Sequence, residues 1–121
     1  MTEVGFELYR EVRDDAPPDW TSGERLVAWV IADDAREKTR RSLIAMPELA
    51  RRCGMTPEGV RKALQKLAER GFDFRVSHGR GKDGRDVYAA NGHPAEYLVP
   101  DIFGILVERA GMAPRPVDKQ T

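Results

Sequence analysis

Cysteine and histidine are scarce: one Cys (Cys53) and two His (His78, His93) in 121 residues. A single thiol forms no internal disulfide, and this set falls short of the four ligands of a structural zinc site. No apolar run approaches the roughly 18 residues that span a bilayer. Met1-Thr2-Glu3-Val4 lacks the basic start and apolar stretch of a signal peptide. The expectation is a cytoplasmic protein without membrane contact. No nucleophile–base pair or metal cluster stands out, so neither catalytic residues nor cofactors are expected. Asp14-Asp15 and Asp33-Asp34 face no evident nucleophile and read as helix-end and linker solvation. The glycines of Gly79–Gly84 lack the strand-loop-helix context and the terminal Lys-Ser/Thr of a phosphate-binding loop, which excludes nucleotide binding there. Net charge is also missing, with 20 basic and 20 acidic residues.

That neutrality hides a pattern. Residues 1–50 hold 7 Lys/Arg against 11 Asp/Glu, net −4. Residues 51–85 hold 10 against 4, net +6, and residues 86–121 hold 3 against 5, net −2. A basic block between acidic flanks points to a polyanion reached by one region only. With 40% apolar and 33% charged residues the chain reads as one globular domain. At this size it can bury about 65% of its unfolded surface.

Apolar periodicity outlines the elements. Phe6, Tyr9 and Val12 mark a helix over 4–13, which Asp14-Asp15-Ala16-Pro17-Pro18 ends. Thr21 and Glu24 form a capping box for a helix over 22–35, with Leu26, Val27, Val30 and Ile31 as its stripe. Ser42-Leu43-Ile44 reads as a short strand. A short helix over 46–53 turns Leu49, Ala50 and Cys53 inward, and carries Pro47 in its first turn. Cys53 reads as a small buried hydrophobe. Thr56 and Pro57 open a helix over 57–70 that stops at Gly71. Phe72–Ser77 alternates as a strand, and His78–Arg85 is a glycine-rich basic loop. Either Val87–Ala89 or Tyr97–Val99, the better candidate, returns to pair with 72–77, with a turn at Asn91–Pro94. Ile102, Phe103, Leu106 and Val107 mark a helix over 102–110, followed by a loose tail from Ala113. Trp20, Trp29, Tyr88 and Tyr97 read as core or edge packing.

Residues 46–65, MPELARRCGMTPEGVRKALQ, carry the functional signal. Two short helices joined by a tight turn need a small residue where they meet, a left-handed turn residue and an apolar anchor on the second helix. Ala50, Gly54 and Val60 stand at that spacing. Together with the strand, basic loop and returning strand that follow, residues 21–100 resemble the winged helix-turn-helix family of DNA-binding proteins. The likeness is to small bacterial regulators and to plasmid and phage replication proteins. It implies a mainly α domain with a small β-hairpin wing, residues 1–20 as an N-terminal helix and linker, and 101–121 as a short helix and tail. Two features depart from the usual pattern: Ala45 in place of a Ser or Asp cap, and a long 78–95 segment.

At about 100° per residue, Val60, Ala63, Leu64 and Leu67 share the buried face of the 57–70 helix. Glu58, Arg61, Lys62, Gln65 and Lys66 lie opposite and are candidates to read base edges. Arg51, Arg52, Thr56, Arg75, Arg80, Lys82 and Arg85 are candidates for backbone contact. Double-stranded DNA is the expected partner, with no catalytic activity. A homodimer through the Ile102–Val107 stripe is expected unless Phe6, Tyr9 and Val12 cover it. Residues 101–121 are too short for a ligand pocket, so no small-molecule effector is expected. A protein-interaction module is the competing reading, given the acidic N-terminal region.

Overall fold

The computed structural model describes residues 6–89 and 94–111. It has five helices and a small antiparallel sheet: α1 (Phe6–Asp15), α2 (Ser22–Asp34), β1 (Arg41–Ser42), α3 (Met46–Cys53), α4 (Pro57–Glu69), β2 (Tyr97–Leu98) and α5 (Ile102–Ala110). This is the expected class, mainly α with a little β. The expected helix start at Val4, the turn residues Asn91–His93 and the tail from Ala113 lie outside the described residues.

α2 is the central helix, packed against α1, α3 and α4. Thr21 caps it through the reciprocal bonds of a capping box: Glu24 N donates to Thr21 Oγ1 at 3.1 Å, and Thr21 N donates to Glu24 Oε1 at 3.0 Å. Its buried residues Val27, Ala28, Val30 and Ile31 meet Leu49 of α3 and Val60, Leu64 and Leu67 of α4 in one core. The core also takes in Leu8 and Val12 from α1 and Ile102 from α5. The terminal helices are thus built into the domain. Each large apolar side chain fully enclosed there contributes about 1.5–3 kcal/mol relative to exposure.

α1 runs to Asp15, two residues beyond the expected end, because Pro17 and not the acidic pair is the first residue that cannot continue it. Its inward stripe is Leu8 and Val12, four apart, while Tyr9 sits edge-on to Trp29 with ring centroids 6.0 Å apart. The expected stripe at the other end is largely covered within the chain: Ile102 and Val107 are buried and Phe103 and Leu106 are half-buried.

The strands depart most from expectation. Pairing of 41–42 stops at Ser42, so Leu43-Ile44 is not strand. The Ser42 hydroxyl donates to Asp34 at 2.7 Å and accepts from Ile44 N at 3.1 Å, which turns the chain out of the ladder. Leu43 is left 65% exposed. Phe72–Ser77 is not a regular strand either. Asp73 Oδ1 accepts from Arg75 N at 2.9 Å on the edge that faces away from β2. The alternation still decides burial, with Phe72 and Phe74 enclosed beside Trp20.

Both candidate return segments pair, at different places. Leu98 N donates to Phe74 O at 2.9 Å and Val76 N to Glu96 O at 3.0 Å, with an Arg75–Tyr97 bridge. On its other edge β2 pairs with β1, Arg41 opposite Leu98 and Ser42 opposite Tyr97. Val87 closes a separate hairpin: His78 N donates to Val87 O and Val87 N to Gly79 O, each at 2.8 Å. That hairpin is fastened again by Gly81 N to Arg85 O at 2.8 Å and by an Arg80–Asp86 bridge. The expected flexible loop is therefore a closed hairpin with its tip at 81–84.

Candidate nucleic-acid interface

α3 and α4 are joined by a turn of three residues, 54–56. Ala45 offers α3 no side-chain cap, so the helix depends on packing of Leu49, Ala50 and Cys53. Gly54 takes φ 65°, left-handed, which glycine adopts without a Cβ clash. Met55 N then donates to Ala50 O at 3.0 Å and closes the end of α3. Thr56 Oγ1 accepts from Gly59 N at 3.0 Å, so its hydroxyl starts α4. Burial pushes the Cys53 thiol up and keeps it protonated.

α4 divides as its sequence dictates. Val60, Ala63, Leu64 and Leu67 are buried, while Glu58, Arg61, Lys62, Gln65 and Lys66 are all exposed. The base of the hairpin stands beside this helix. Arg61 and Gln65 line one side of a cleft whose other side includes Arg75, Tyr88 and Tyr97. α4 and the base of the hairpin thus border one cleft.

The cations of the basic block fall into two sets. Every arginine from 51 to 85 has a carboxylate within 4.0 Å. Arg51 holds Glu48 at 2.6 Å, Arg52 holds Asp33 at 2.7 Å, and Arg70 holds Glu24 at 2.6 Å. Arg75 meets Asp73 at 3.0 Å, Arg61 meets Glu58 at 3.7 Å, Arg80 meets Asp86 at 3.9 Å and Arg85 meets Asp83 at 4.0 Å. Lys62, Lys66 and Lys82 are exposed and make no ion pair or hydrogen bond among the described residues. Gln65 is also engaged, donating from Nε2 to Glu69 at 3.2 Å.

Arg75 stands apart from the other sequence candidates. It is half-buried, held by Asp73 and laid over the Tyr88 ring at 4.5 Å from its centroid. It braces the hairpin base and offers little to a phosphate. Arg52 turns back on to α2 through Asp33, away from the turn. His78 Nε2 lies 3.1 Å from the Pro94 carbonyl and is likewise a loop fastener.

Two functional elements escaped the sequence reading. Arg40 carries no signal in the sequence, yet its guanidinium ties α1 to the chain before α5 through Glu11, Val99 and Pro100. Its unusual φ of 60° has no sequence signature. The cleft beside α4 needs Tyr88 and Tyr97 brought together across the return, which no local pattern in the sequence signals.

Among the described residues no group of three or more His, Cys, Asp or Glu could hold a metal ion. Nor is any described helix long and apolar enough to cross a membrane. The chain matches no protein-family model, no curated protein and no solved structure.

Proposed function

We propose that the chain is a winged helix-turn-helix protein that binds double-stranded DNA without catalysing a reaction, and that it acts as a transcriptional regulator in the cytoplasm. In this reading α4 enters the major groove and the 78–87 hairpin is the wing that rests on the backbone. The observation that carries it is the placement of the three unpaired lysines. Lys62 and Lys66 lie on the outer face of a helix whose inner face is fully packed, and Lys82 stands at the hairpin tip. The element order supports the same reading: helix, strand, helix, tight turn, helix, then a hairpin between two paired segments. The ion pairs on Arg61, Arg80 and Arg85 are exposed, and such pairs are worth about 0–1 kcal/mol, so phosphates can replace their carboxylates.

The test is selection of genomic fragments with purified protein, followed by anisotropy on the selected and a scrambled duplex. Lys62→Ala should cost about 1–3 kcal/mol on the selected site and relax preference at one or two base pairs. Lys82→Ala should weaken both duplexes alike. If folded Lys62→Ala, Gln65→Ala and Lys66→Ala proteins bind both duplexes like the parent, α4 is not the reader. Fragments from replication origins in place of promoters would make the chain an origin-binding protein using the same contacts.

A second reading, a protein-interaction module, draws on the internal neutralisation of Arg51, Arg52 and Arg75. It takes over if the protein shows no salt-sensitive affinity for any duplex.

A further inference from the structure

The cleft beside α4 has a volume of about 400 Å3, within the size range of small-molecule sites. Met46, Leu64 and the side chains of Tyr88 and Tyr97 supply much of its lining, and Arg61 and Gln65 add polar groups from α4. Arg75 and Glu96 also border it, but each charge is already matched, by Asp73 and by Arg41. Arg61 is held only by exposed Glu58 at 3.7 Å, so its charge is the one least committed.

Tyr97 is the informative member. The residue is 3% exposed as a whole and borders the cleft, and its hydroxyl makes no hydrogen bond among the described residues while still reaching solvent there. Burial pushes this phenol up, with Arg61 opposing more weakly, so the hydroxyl stays protonated and acts as a donor. An unused donor, a nearby loosely held guanidinium and an apolar lining with an aromatic ring form one complementary set.

We propose that this cleft binds a small planar aromatic molecule bearing a carboxylate, with the ring against Leu64, Met46 and Tyr88 and the carboxylate bonded to Tyr97 Oη and Arg61. The absence of a separate effector unit in 101–121 does not bear on it, because the cleft lies between α4 and the returning chain. Arg61 and Gln65 also belong to the proposed reading face. An occupied cleft therefore withdraws Arg61 from DNA and lowers DNA affinity. This consequence, unlike the binding itself, rests on the DNA-binding reading.

The experiment titrates the 15N-labelled full chain with benzoate and indole-3-acetate, and with the uncharged benzamide and indole-3-acetamide. At least one acid should give saturable shifts at the amides of 61–65 and 95–97, with a Kd of about 1 mM or tighter. Its amide counterpart should bind about tenfold more weakly, since it lacks the charge that Arg61 answers. Tyr97→Phe should weaken the acid several-fold with the rest of the spectrum unchanged. Arg61→Ala should erase the preference for acid over amide. The proposal is overturned if no acid gives saturable shifts there up to about 10 mM. Equal affinity for acid and amide, or parental affinity in Tyr97→Phe, overturns it too. A parallel arm follows duplex binding by anisotropy. Acid binding by a chain with no affinity for DNA upholds the cleft and removes the DNA reading. Acid binding that leaves duplex affinity unchanged upholds the cleft and refutes its regulatory consequence.

Discussion

Arg40 is the side chain whose loss should be felt most widely outside the apolar core. Its guanidinium donates twice to Glu11, at 3.2 and 2.6 Å, once to Val99 O at 3.0 Å and once to Pro100 O at 3.1 Å. It thereby joins α1, the α2–β1 connection and the segment leading into α5. The Glu11 hydrogen bond raises the Arg40 pKa, with burial opposing it less strongly. Hydrogen bonds to charged groups contribute about 1.5–3 kcal/mol each. The Arg40 and Glu11 side chains are 31% and 30% exposed, so water replaces part of what is lost. Arg40→Ala should therefore cost about 2–4 kcal/mol overall. With an unfolding entropy of about 2.1 cal/mol/K per residue, that lowers Tm by roughly 8–16 °C. The backbone gives an internal control, because residue 40 sits at φ 60°. A non-glycine residue there carries about 1–2 kcal/mol of strain, while glycine carries about 0.4–1 kcal/mol of added unfolded-state entropy. Arg40→Gly loses the same four bonds yet should melt above Arg40→Ala, by up to about 6 °C. Thermal and urea unfolding of both variants measure this. An Arg40→Ala protein within about 3 °C of the parent would refute the bracing role.

Two further outcomes follow from local geometry. Gly54→Ala forces a Cβ into φ 65° with nothing within 4 Å to clash, so the cost is backbone strain alone, about 1–2 kcal/mol by urea unfolding, and Gly54→Asn should recover part of it. Glu48 is held below the usual carboxylate range by its hydrogen bonds from Arg51, so its contribution is complete above its unfolded pKa and disappears as pH falls through the lowered folded value. The Tm gap between the parent and Glu48→Gln should accordingly close on acidification, and a gap that widens instead would contradict the assignment.

Helices were legible because their signals are local. Thr21 with Glu24, Thr56 with Pro57, and Gly54 after Cys53 each fix a boundary through bonds within four residues. The strands were less legible because a side chain can compete for the backbone. The Ser42 hydroxyl does not change the alternation of apolar residues, yet it takes the Ile44 N–H that a longer ladder needs. Of the two return segments, Tyr97–Val99, the better candidate, is the one that pairs with 72–77, while Val87 closes its own hairpin on 78–79. The exposed residues of α4 followed from helical period, and their partners did not. Carboxylates such as Glu24, Asp33 and Asp86 meet the arginines only through the fold, and distance along the chain says nothing of them.

That last point changes the expected strength of any DNA contact. Along the sequence, residues 51–85 carry net +6. Folding brings Glu24, Asp33, Asp34, Glu48 and Asp86 from the flanks on to arginines of that block. The folded region then has 10 cations and 9 carboxylates, counting Glu58, Glu69, Asp73 and Asp83 from within it. Arginine suits this bracing because its planar fork matches a carboxylate, whereas lysine remains a hydrated point charge. The lysines are thus the charges left free for DNA, Lys82 for phosphates and Lys62 and Lys66 for base edges. Each phosphate contact contributes about −0.9 to the slope of log affinity against log salt. Phosphate contact through Lys82 alone gives a slope of about −1, while engagement of all ten cations gives about −9. Anisotropy titrations of the parent chain on one duplex, over a range of salt, measure the slope directly. Lys82→Ala should bring it about one unit closer to zero, while Lys62→Ala and Lys66→Ala, which lose base contacts, should leave it nearly unchanged. A parental slope steeper than about −6 would mean that DNA strips the arginines of their carboxylates, and the division of labour between lysine and arginine would be wrong.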